Sequence, residues 1–310
     1  MTASAPALPV ADRRWLDTAL AWYFVSVWGS GFLASKVALQ YAPPFTMLSL
    51  RYLLGVLCMA PVLLVTRPRW PASRVELGHV IVAGLLMHAV HLSGSHYSQY
   101  LGLSAGITAL VMSLQTLATA IIVSRWMGDR LAPRQWAGVV MGLAGVGLVV
   151  WHKIDVQELP LGSLVALAFG LTAITAGTLY QKTFCPTVDL KAGTFIQFAA
   201  SSAALAPLAF IVEGARVDWQ WQLFAALAFL VILASILATN ALNVLMRHGE
   251  ATRVTSLIYL TPIIAVALEY PMFGVVPGLL SLAGIAITCA GVALVTYRTR
   301  SREVLTGGEA

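Results

Sequence analysis

A stripe of polar residues interrupts one long apolar stretch of this chain and provides its first candidates for chemistry. On a helical wheel of about 100° per residue, His88 and His91 share a face with small and amide residues. Imidazoles in such places hydrogen-bond a carboxylate or carry a proton, and structural hydrogen bonding between helices is the competing interpretation. A metal site is disfavoured because no carboxylate or cysteine has matching ligand spacing. The stripe consists of Gly84, His88, His91, Ser95 and Gln99.

Side-chain amides and aromatic rings form a second group of candidates. The only two asparagines, Asn240 and Asn243, are three residues apart, and their amides offer the donors and acceptors that suit a zwitterion. Trp28 and Tyr259 would supply aromatic walls, although such rings also serve as packing residues or interface anchors. We therefore predict a substrate cavity lined by Trp28, His88, His91, Gln115, Gln197, Asn240, Asn243 and Tyr259.

Three charged residues lie inside apolar stretches, where an unpaired charge is costly and needs a partner. Arg51 is expected about 12 Å inside its helix if that helix begins near Pro43, at 1.5 Å per residue. Lys36 and Glu269 fall toward the same membrane surface, so we expect one ion-paired gating cluster of Lys36, Arg51 and Glu269. Two alternatives stay open. Lys36 would merely extend to the membrane surface, or Arg51 and Glu269 would form a static structural pair.

The composition of the chain suits lipid rather than water. Of 310 residues, 59% are hydrophobic and 10% are charged, whereas roughly a quarter of a soluble domain is charged. Apolar stretches of about 18 to 24 residues recur, which is the length that a helix needs to cross a bilayer. We predict an all-α membrane protein with ten transmembrane helices, at residues 18–40, 43–66, 76–98, 104–126, 133–151, 161–183, 190–212, 221–246, 251–274 and 278–297.

Basic residues are unevenly divided between the two sets of loops. Ten spans place both termini on one side, and the loops of the opposite side hold only Lys153 and Arg216 as basic residues. By the positive-inside rule, both termini are predicted to be cytoplasmic. Because the basic residues are scattered singly, the net charge of +6 does not indicate a nucleic-acid partner. The three cysteines lack CxxC spacing and predict neither a disulfide scaffold nor a metal site.

The sequence matches itself at a shift of 146 residues. Five spans in each half would make the second copy enter the membrane from the other side, so we predict an inverted repeat, an architecture typical of transporters. The predicted divisions are a cytoplasmic tail (1–17), two five-helix repeats (18–152 and 153–298) and a second cytoplasmic tail (299–310). The matched pairs include Lys36 with Lys182, Ala60-Pro61 with Ala206-Pro207, Gly138 with Gly284 and Gly145 with Gly291.

Several short motifs in a fixed order add a family resemblance. They are Trp28-Gly29-Ser30-Gly31-Phe32, Lys36, Arg51, Gly128-Asp129-Arg130-Leu131, Gln135, Gly138 and Thr261-Pro262. Over about residues 18 to 298 the chain resembles the EamA-type ten-helix transporters of the drug/metabolite transporter superfamily, and within them the YddG-type amino-acid exporters. Two departures bear on the substrate. Gln115 stands where the family usually has a proline, and Val275 stands where it usually has an acidic residue. An additional carboxylate, Glu269, lies inside the ninth span.

Together, the repeat and the resemblance predict a transporter of the bacterial inner membrane. It would export small metabolites, with amino acids including aromatic ones favoured, by alternating access through a central cavity. A multidrug or quaternary-amine exporter, with Glu269 meeting the cation, is the alternative. An intramembrane enzyme is disfavoured because the aspartates fall in loops or tails and no HExxH or GxSxG motif occurs. We expect no catalytic residue and no cofactor.

The expected partners are a small-molecule solute and the lipid bilayer. The fifth and tenth spans are nearly free of polar residues and carry Gly138-xxx-Gly142 and Gly284-xxx-Thr288, patterns that favour close helix packing. We predict that these spans buttress the bundle outside the pathway. The same faces would also suit a homodimer.

Overall fold

A computed structural model describes residues 10–126, 132–157, 160–238, 240–241, 244–245 and 260–296. Within these residues the chain is helical and has no β-strand, which confirms the all-α prediction. The helices are α1 (Val10–Ala38), α2 (Pro44–Thr66), α3 (Arg74–Tyr100), α4 (Ala105–Arg125), α5 (Pro133–Gln157), α6 (Leu161–Phe184), α7 (Leu190–Glu213), α8 (Trp221–Ala238), α9 (Thr261–Phe273) and α10 (Leu279–Thr296).

Length and composition separate these helices into two groups. In the described part of the chain, the seven helices α2 to α8 are long and apolar enough to cross a membrane, and α9 and α10 are shorter apolar helices. α1 has 29 residues and begins at Val10 rather than at the predicted residue 18. The charged residues near its start interrupt the apolar run without ending the helix, which explains the difference.

The helices pack in a regular set of pairs. α5 lies against α10 and α2 lies against α7. α3 packs on α6, α1 packs on α8, and α9 contacts both α1 and α4.

Glycines bring α5 and α10 into backbone contact. A Cβ atom added to Gly145 would lie 2.6 Å from the carbonyl oxygen of Gly284, and one added to Gly291 would lie 2.6 Å from that of Gly138. A methyl group at these positions would therefore force the two helices apart. We call Gly138, Gly145, Gly284 and Gly291 the glycine seam. Because the seam is formed within one chain, these glycines are not available as the contact surface of a homodimer.

α3 and α8 each contain a π-helical segment, at Leu85–Val90 and Phe229–Ala238 respectively. A π turn is wider than an α turn and bonds residue i to residue i+5, which leaves carbonyl oxygens open to other donors. Tyr52 of α2 donates its hydroxyl to the carbonyl oxygen of His88 at 3.1 Å, and Tyr23 of α1 donates to that of Leu233 at 3.3 Å. A tyrosine from a neighbouring helix thus binds each wide segment.

Candidate functional site

Lys36 and Glu269 form an ion pair between α1 and α9. The Lys36 Nζ lies 2.6 Å from Glu269 Oε1, and the two side chains are 22% and 3% exposed. The same ammonium lies 4.6 Å from the centroid of the Phe273 ring, which adds a cation–π contact. The two residues that were expected at one membrane surface are therefore in direct contact.

Glu269 also binds the first turn of α4. Its Oε1 accepts a hydrogen bond from the backbone N–H of Ala105 and its Oε2 accepts one from Gly106, both at 2.9 Å. The first N–H groups of a helix lack partners within the helix and carry partial positive charge, so a carboxylate is stabilised there. We call Lys36, Ala105, Gly106 and Glu269 the Glu269 cluster. It joins α1, α4 and α9 at one end of the bundle through a single buried carboxylate.

Arg51 lies outside this cluster, contrary to the expectation of one three-residue ion-paired group. Its Nη2 donates to the Ser235 hydroxyl of α8 at 3.3 Å, and its buried Nε has no hydrogen-bond partner in the described structure. The prediction was wrong because height along a helix does not fix the direction in which a side chain points. Arg51 faces α8, whereas Glu269 faces α1 and α4.

His88 belongs to a series of side-chain contacts that links three helices. Its Nε2 lies 3.3 Å from the Gln197 Oε1 of α7, and the Gln197 amide nitrogen donates to the Gln181 Oε1 of α6 at 2.9 Å. The His88 ring also packs edge-on against Phe198, with centroids 5.2 Å apart. Two of the predicted cavity residues, His88 and Gln197, therefore contact each other.

His91 faces a different neighbour from His88. Its Nδ1 lies 3.2 Å from the carbonyl oxygen of Gly170 on α6, so this nitrogen is the protonated donor. A Cβ atom at Gly94 would lie 2.8 Å from the Gly170 backbone nitrogen, so α3 and α6 are in close contact here. Both histidines thus hydrogen-bond adjacent helices, as the structural interpretation of the stripe expects.

The remaining predicted cavity residues are dispersed. The Gln115 amide donates to the Thr178 hydroxyl of α6 at 3.0 Å. Trp28 on α1 is 44% exposed and packs on Phe24, with ring centroids 5.2 Å apart. Asn240 is exposed, and its amide donates to the carbonyl oxygen of Ile236 at 2.9 Å. Two further predicted residues, Asn243 and Tyr259, lie outside the described residues.

Two polar features were missed by sequence reasoning. Glu213, at the end of α7, accepts hydrogen bonds from the backbone N–H groups of Phe45 and Thr46 at 3.0 and 2.7 Å, and so holds the start of α2. Glu213 was missed because it lies one residue beyond the predicted span and was therefore counted as a loop residue. His96 is 2% exposed on α3 but lies off the polar stripe on which the prediction was built. Among the described residues, no group of three or more His, Cys, Asp or Glu side chains could hold a metal ion.

Comparison with known families decides the class of this protein. The EamA-like transporter family matches the chain twice, over residues 18–151 and 160–297. The chain belongs to the EamA-like transporter family. It is therefore a multi-pass membrane transporter rather than an enzyme, and its substrate is a small molecule.

Relatives of this EamA-like chain are named as transporters or efflux pumps. An uncharacterised inner membrane transporter, YedA, of Escherichia coli K12 is 25% identical over 272 residues, covering 87% of each chain. A probable amino-acid metabolite efflux pump of Salmonella typhimurium is 23% identical over 295 residues, covering 92% of this chain and 96% of the relative. The family and these names identify a bacterial inner membrane protein.

A solved crystal structure supports the same fold. It superimposes on this chain with a TM-score of 0.64, covers 90% of this chain and 96% of its own, and is 19% identical in sequence. At that identity the likeness concerns the fold alone.

Proposed function

We propose that this EamA-like transporter exports small metabolites, with amino acids as the main substrate class, by alternating access. Two inverted five-helix halves, residues 18–152 and 153–298, would rock about a central cavity, with both termini in the cytoplasm. The observation that carries this proposal is the double match of one family to the two parts of one chain. A relative named as a probable amino-acid metabolite efflux pump supports the substrate class.

The helix pairs support a division into two related five-helix halves. A repeat of five helices exchanges α1 with α6, α2 with α7, α3 with α8, α4 with α9 and α5 with α10. The packing of α3 on α6 then becomes that of α8 on α1, and the α2 and α7 pair and the α5 and α10 pair each map onto themselves. The observed pairs are those that two related halves produce.

The Glu269 cluster is the proposed gate at the extracellular end. An ion pair plus two backbone hydrogen bonds would hold α1, α4 and α9 together while the substrate enters from the cytoplasm. Opening toward the outside must then separate Lys36 from Glu269 or remove the carboxylate from α4. Because Glu269 already has three partners, it lacks the free charge that the alternative of a quaternary-amine exporter would need.

Polar side chains are proposed to line the cavity between the two halves, as predicted from the sequence. Solute binding there must be weak enough to permit release, and hydrogen-bonding groups without a fixed ion pair suit that requirement. The proposed lining consists of Trp28, His88, His91, Gln115, Gln197, Asn240, Asn243 and Tyr259.

Reconstitution in liposomes tests the function directly. Purified protein is expected to carry radiolabelled amino acids across the vesicle membrane at a rate above that of protein-free vesicles. Repeating the measurement with an imposed pH gradient separates proton-coupled antiport, which responds to the gradient, from facilitated diffusion, which does not. Flux of lipophilic cations with no flux of any amino acid would overturn the substrate class.

A further inference from the structure

A small cavity lies beside Glu269, between α4, α9 and α10. Its volume of about 20 Å³ exceeds the roughly 10 to 15 Å³ that one water molecule needs. Gly106 lines this cavity, and a Cβ atom added to Gly106 would lie 3.3 Å from Glu269 Oε2. Lys36 and Ala105, which bind Oε1, are not among the described residues that line it. The cavity therefore adjoins the Oε2 side of the carboxylate, away from the ion pair.

Ser281, in the first turn of α10, lines the same cavity with a buried hydroxyl. Its side chain is 4% exposed, and its Oγ has no hydrogen-bond partner among the described residues. Many other helical hydroxyls of this chain bond a carbonyl oxygen of their own helix, as Thr288 bonds that of Gly284 at 2.8 Å. Because buried polar atoms are nearly always hydrogen-bonded, the Ser281 hydroxyl needs a partner within the cavity.

Glu269 has an acceptor site left on the cavity side. Each carboxylate oxygen has two lone pairs that can accept hydrogen bonds. Both lone pairs of Oε1 are used, by the Lys36 ammonium and the Ala105 N–H group. In the described structure Oε2 accepts one hydrogen bond, from the Gly106 N–H group. A second donor can therefore bind Oε2.

Ser104 adds a third polar group to the cavity wall, at the end of the bundle. Its Oγ accepts a hydrogen bond from the Ile107 N–H group at 3.2 Å, so its own proton can be donated into the cavity. Ser104 is half-buried in the connection from α3 to α4, and Val275 and Pro277 of the connection from α9 to α10 also line the cavity. By the predicted topology both connections are extracellular. A water molecule here has three polar neighbours, within the two to four that buried water uses.

The charges around Glu269 favour this side for the approach of a proton. Among the described groups that bond Glu269 or line the cavity, Lys36 of α1 is the only other titratable one. A hydronium ion that approached Oε1 would meet the like charge of the ammonium, 2.6 Å from that oxygen. α4 contributes backbone N–H groups, and α10 contributes the neutral hydroxyl of Ser281.

We propose that this cavity binds one water molecule, which bridges Ser281 and Glu269 Oε2 and carries a proton from the extracellular side to the carboxylate. The inference rests on the proposed function, because it gives the proposed gate a proton route. A hydronium ion outside the bundle transfers its proton through the bridging water, one O–H bond breaking as the next forms, and Oε2 receives it. Lys36 then loses its counter-ion, and the neutral carboxyl binds the start of α4 more weakly, so the gate is released.

Time-resolved infrared spectroscopy tests the route without any measurement of transport. Purified protein in nanodiscs is acidified by photolysis of a caged proton, and the rise of the protonated carboxyl band of Glu269 is followed. Glu269→Gln identifies that band by its absence. Ser281→Ala removes one of the three polar neighbours of the water, so the rise should be about 2- to 10-fold slower, the factor that corresponds to one hydrogen bond.

Ser163→Ala is the matched control. Ser163 is the third residue of α6, as Ser281 is of α10, and it is 0% exposed. Its hydroxyl is bonded to the Pro160 carbonyl oxygen at 2.7 Å and lies away from the cavity, so this variant should leave the rate of Glu269 protonation unchanged. As a second measurement, a crystal structure that resolves ordered water should show one water oxygen within about 3.2 Å of both Ser281 Oγ and Glu269 Oε2.

The infrared results decide the proton route. An unchanged rate in Ser281→Ala, equal slowing in Ser281→Ala and Ser163→Ala, or no carboxyl band that Glu269→Gln removes would each overturn it. A resolved cavity without the bridging water would overturn it as well.

Transport in proteoliposomes decides the link to the gate. An acidic exterior should stimulate wild-type amino-acid flux, and the stimulation should be smaller in Ser281→Ala. Equal stimulation of the two, or none in the wild type, would overturn the role of this proton at the gate. No amino-acid flux by the wild type under any condition would overturn the proposed function itself, and the infrared result would still decide the water site.

Discussion

The glycine seam and the polar contacts of α3 are two different solutions to packing helices in one bundle. In the seam, backbone meets backbone, and the Thr288 hydroxyl is bonded within its own helix to the Gly284 carbonyl oxygen at 2.8 Å. Around α3, side chains such as His88 and Gln197 reach across to neighbouring helices. Interlocked backbones cannot slide without losing contact, whereas side chains can exchange partners. We therefore expect the glycine seam to stay fixed and any rearrangement to involve α3 and its neighbours.

The largest loss of stability is expected when a side chain is added within the glycine seam. Gly145→Leu places a side chain where a Cβ atom alone would lie 2.6 Å from the Gly284 carbonyl oxygen. We expect a loss of about 3 kcal/mol or more of stability, seen as failure to purify as a monodisperse peak or as a much lower melting temperature. Gly147→Leu is the matched control, because nothing lies within 4 Å of a Cβ atom there. Equal behaviour of the two variants would contradict the role of the seam.

The Glu269 cluster should give the next largest effect. Glu269→Gln leaves Lys36 without its counter-ion and α4 with a weaker acceptor, so the melting temperature should fall. Combined with Lys36→Met, the loss should be partly recovered, with a coupling energy of about 1 to 3 kcal/mol in a double-mutant cycle. Additive effects would show that the ion pair contributes no coupling.

Transport measurements on Glu269→Gln test whether this carboxylate couples protons. If this carboxylate couples protons, Glu269→Gln abolishes stimulation of flux by a pH gradient. An unchanged response to the gradient would leave Glu269 with a gating or structural role. Glu213→Gln serves as the control, because this carboxylate also binds a helix start but has no lysine partner in the described part of the chain.

A smaller effect is expected where side chains bridge helices. Gln197→Leu leaves the His88 Nε2 and the Gln181 oxygen without their partner, and should cost about 1 to 2 kcal/mol in thermal or denaturant unfolding. Gln181→Leu keeps the contact between His88 and Gln197 and should cost less. A larger loss of stability for Gln181→Leu than for Gln197→Leu would show that the contact with α6 provides most of the stabilisation.

The smallest effect on stability should come from Asn240. Its exposed amide bonds a carbonyl of its own helix, so Asn240→Ala should change the free energy of unfolding by less than about 0.5 kcal/mol. A changed KM for amino acids would support its place in the cavity. Destabilisation above about 1 kcal/mol would instead reveal a packing role.

Most helix bounds were predictable because lipid demands long apolar runs. The spans predicted at 43–66, 161–183 and 190–212 fall within one residue of α2, α6 and α7 at each end. The contact between Lys36 and Glu269 was also predictable, since both were placed at one membrane surface.

Directions around the helices were less predictable than positions along them. A wheel drawn through α3 assumes a constant turn, and the wide segment at Leu85–Val90 breaks that assumption. His88 and His91 therefore hydrogen-bond different helices, α7 and α6. The partner of each polar side chain lies on another helix, and a single sequence carries no signal for which helix that is. Arg51 shows the same limit, because its depth was estimated while its direction was not.

The two π-helical segments have a consequence for the history of the chain. Residues 85–90 of α3 correspond, at the 146-residue shift, to 231–236 within the wide segment of α8, and each segment receives a tyrosine hydroxyl from a neighbouring helix. If both halves descend from one five-helix ancestor, that ancestor already carried the widened turn. Arg51 and the histidines of α3 have no counterpart in the second half at that shift, so the two halves share the widened turn and differ in the polar side chains beside it.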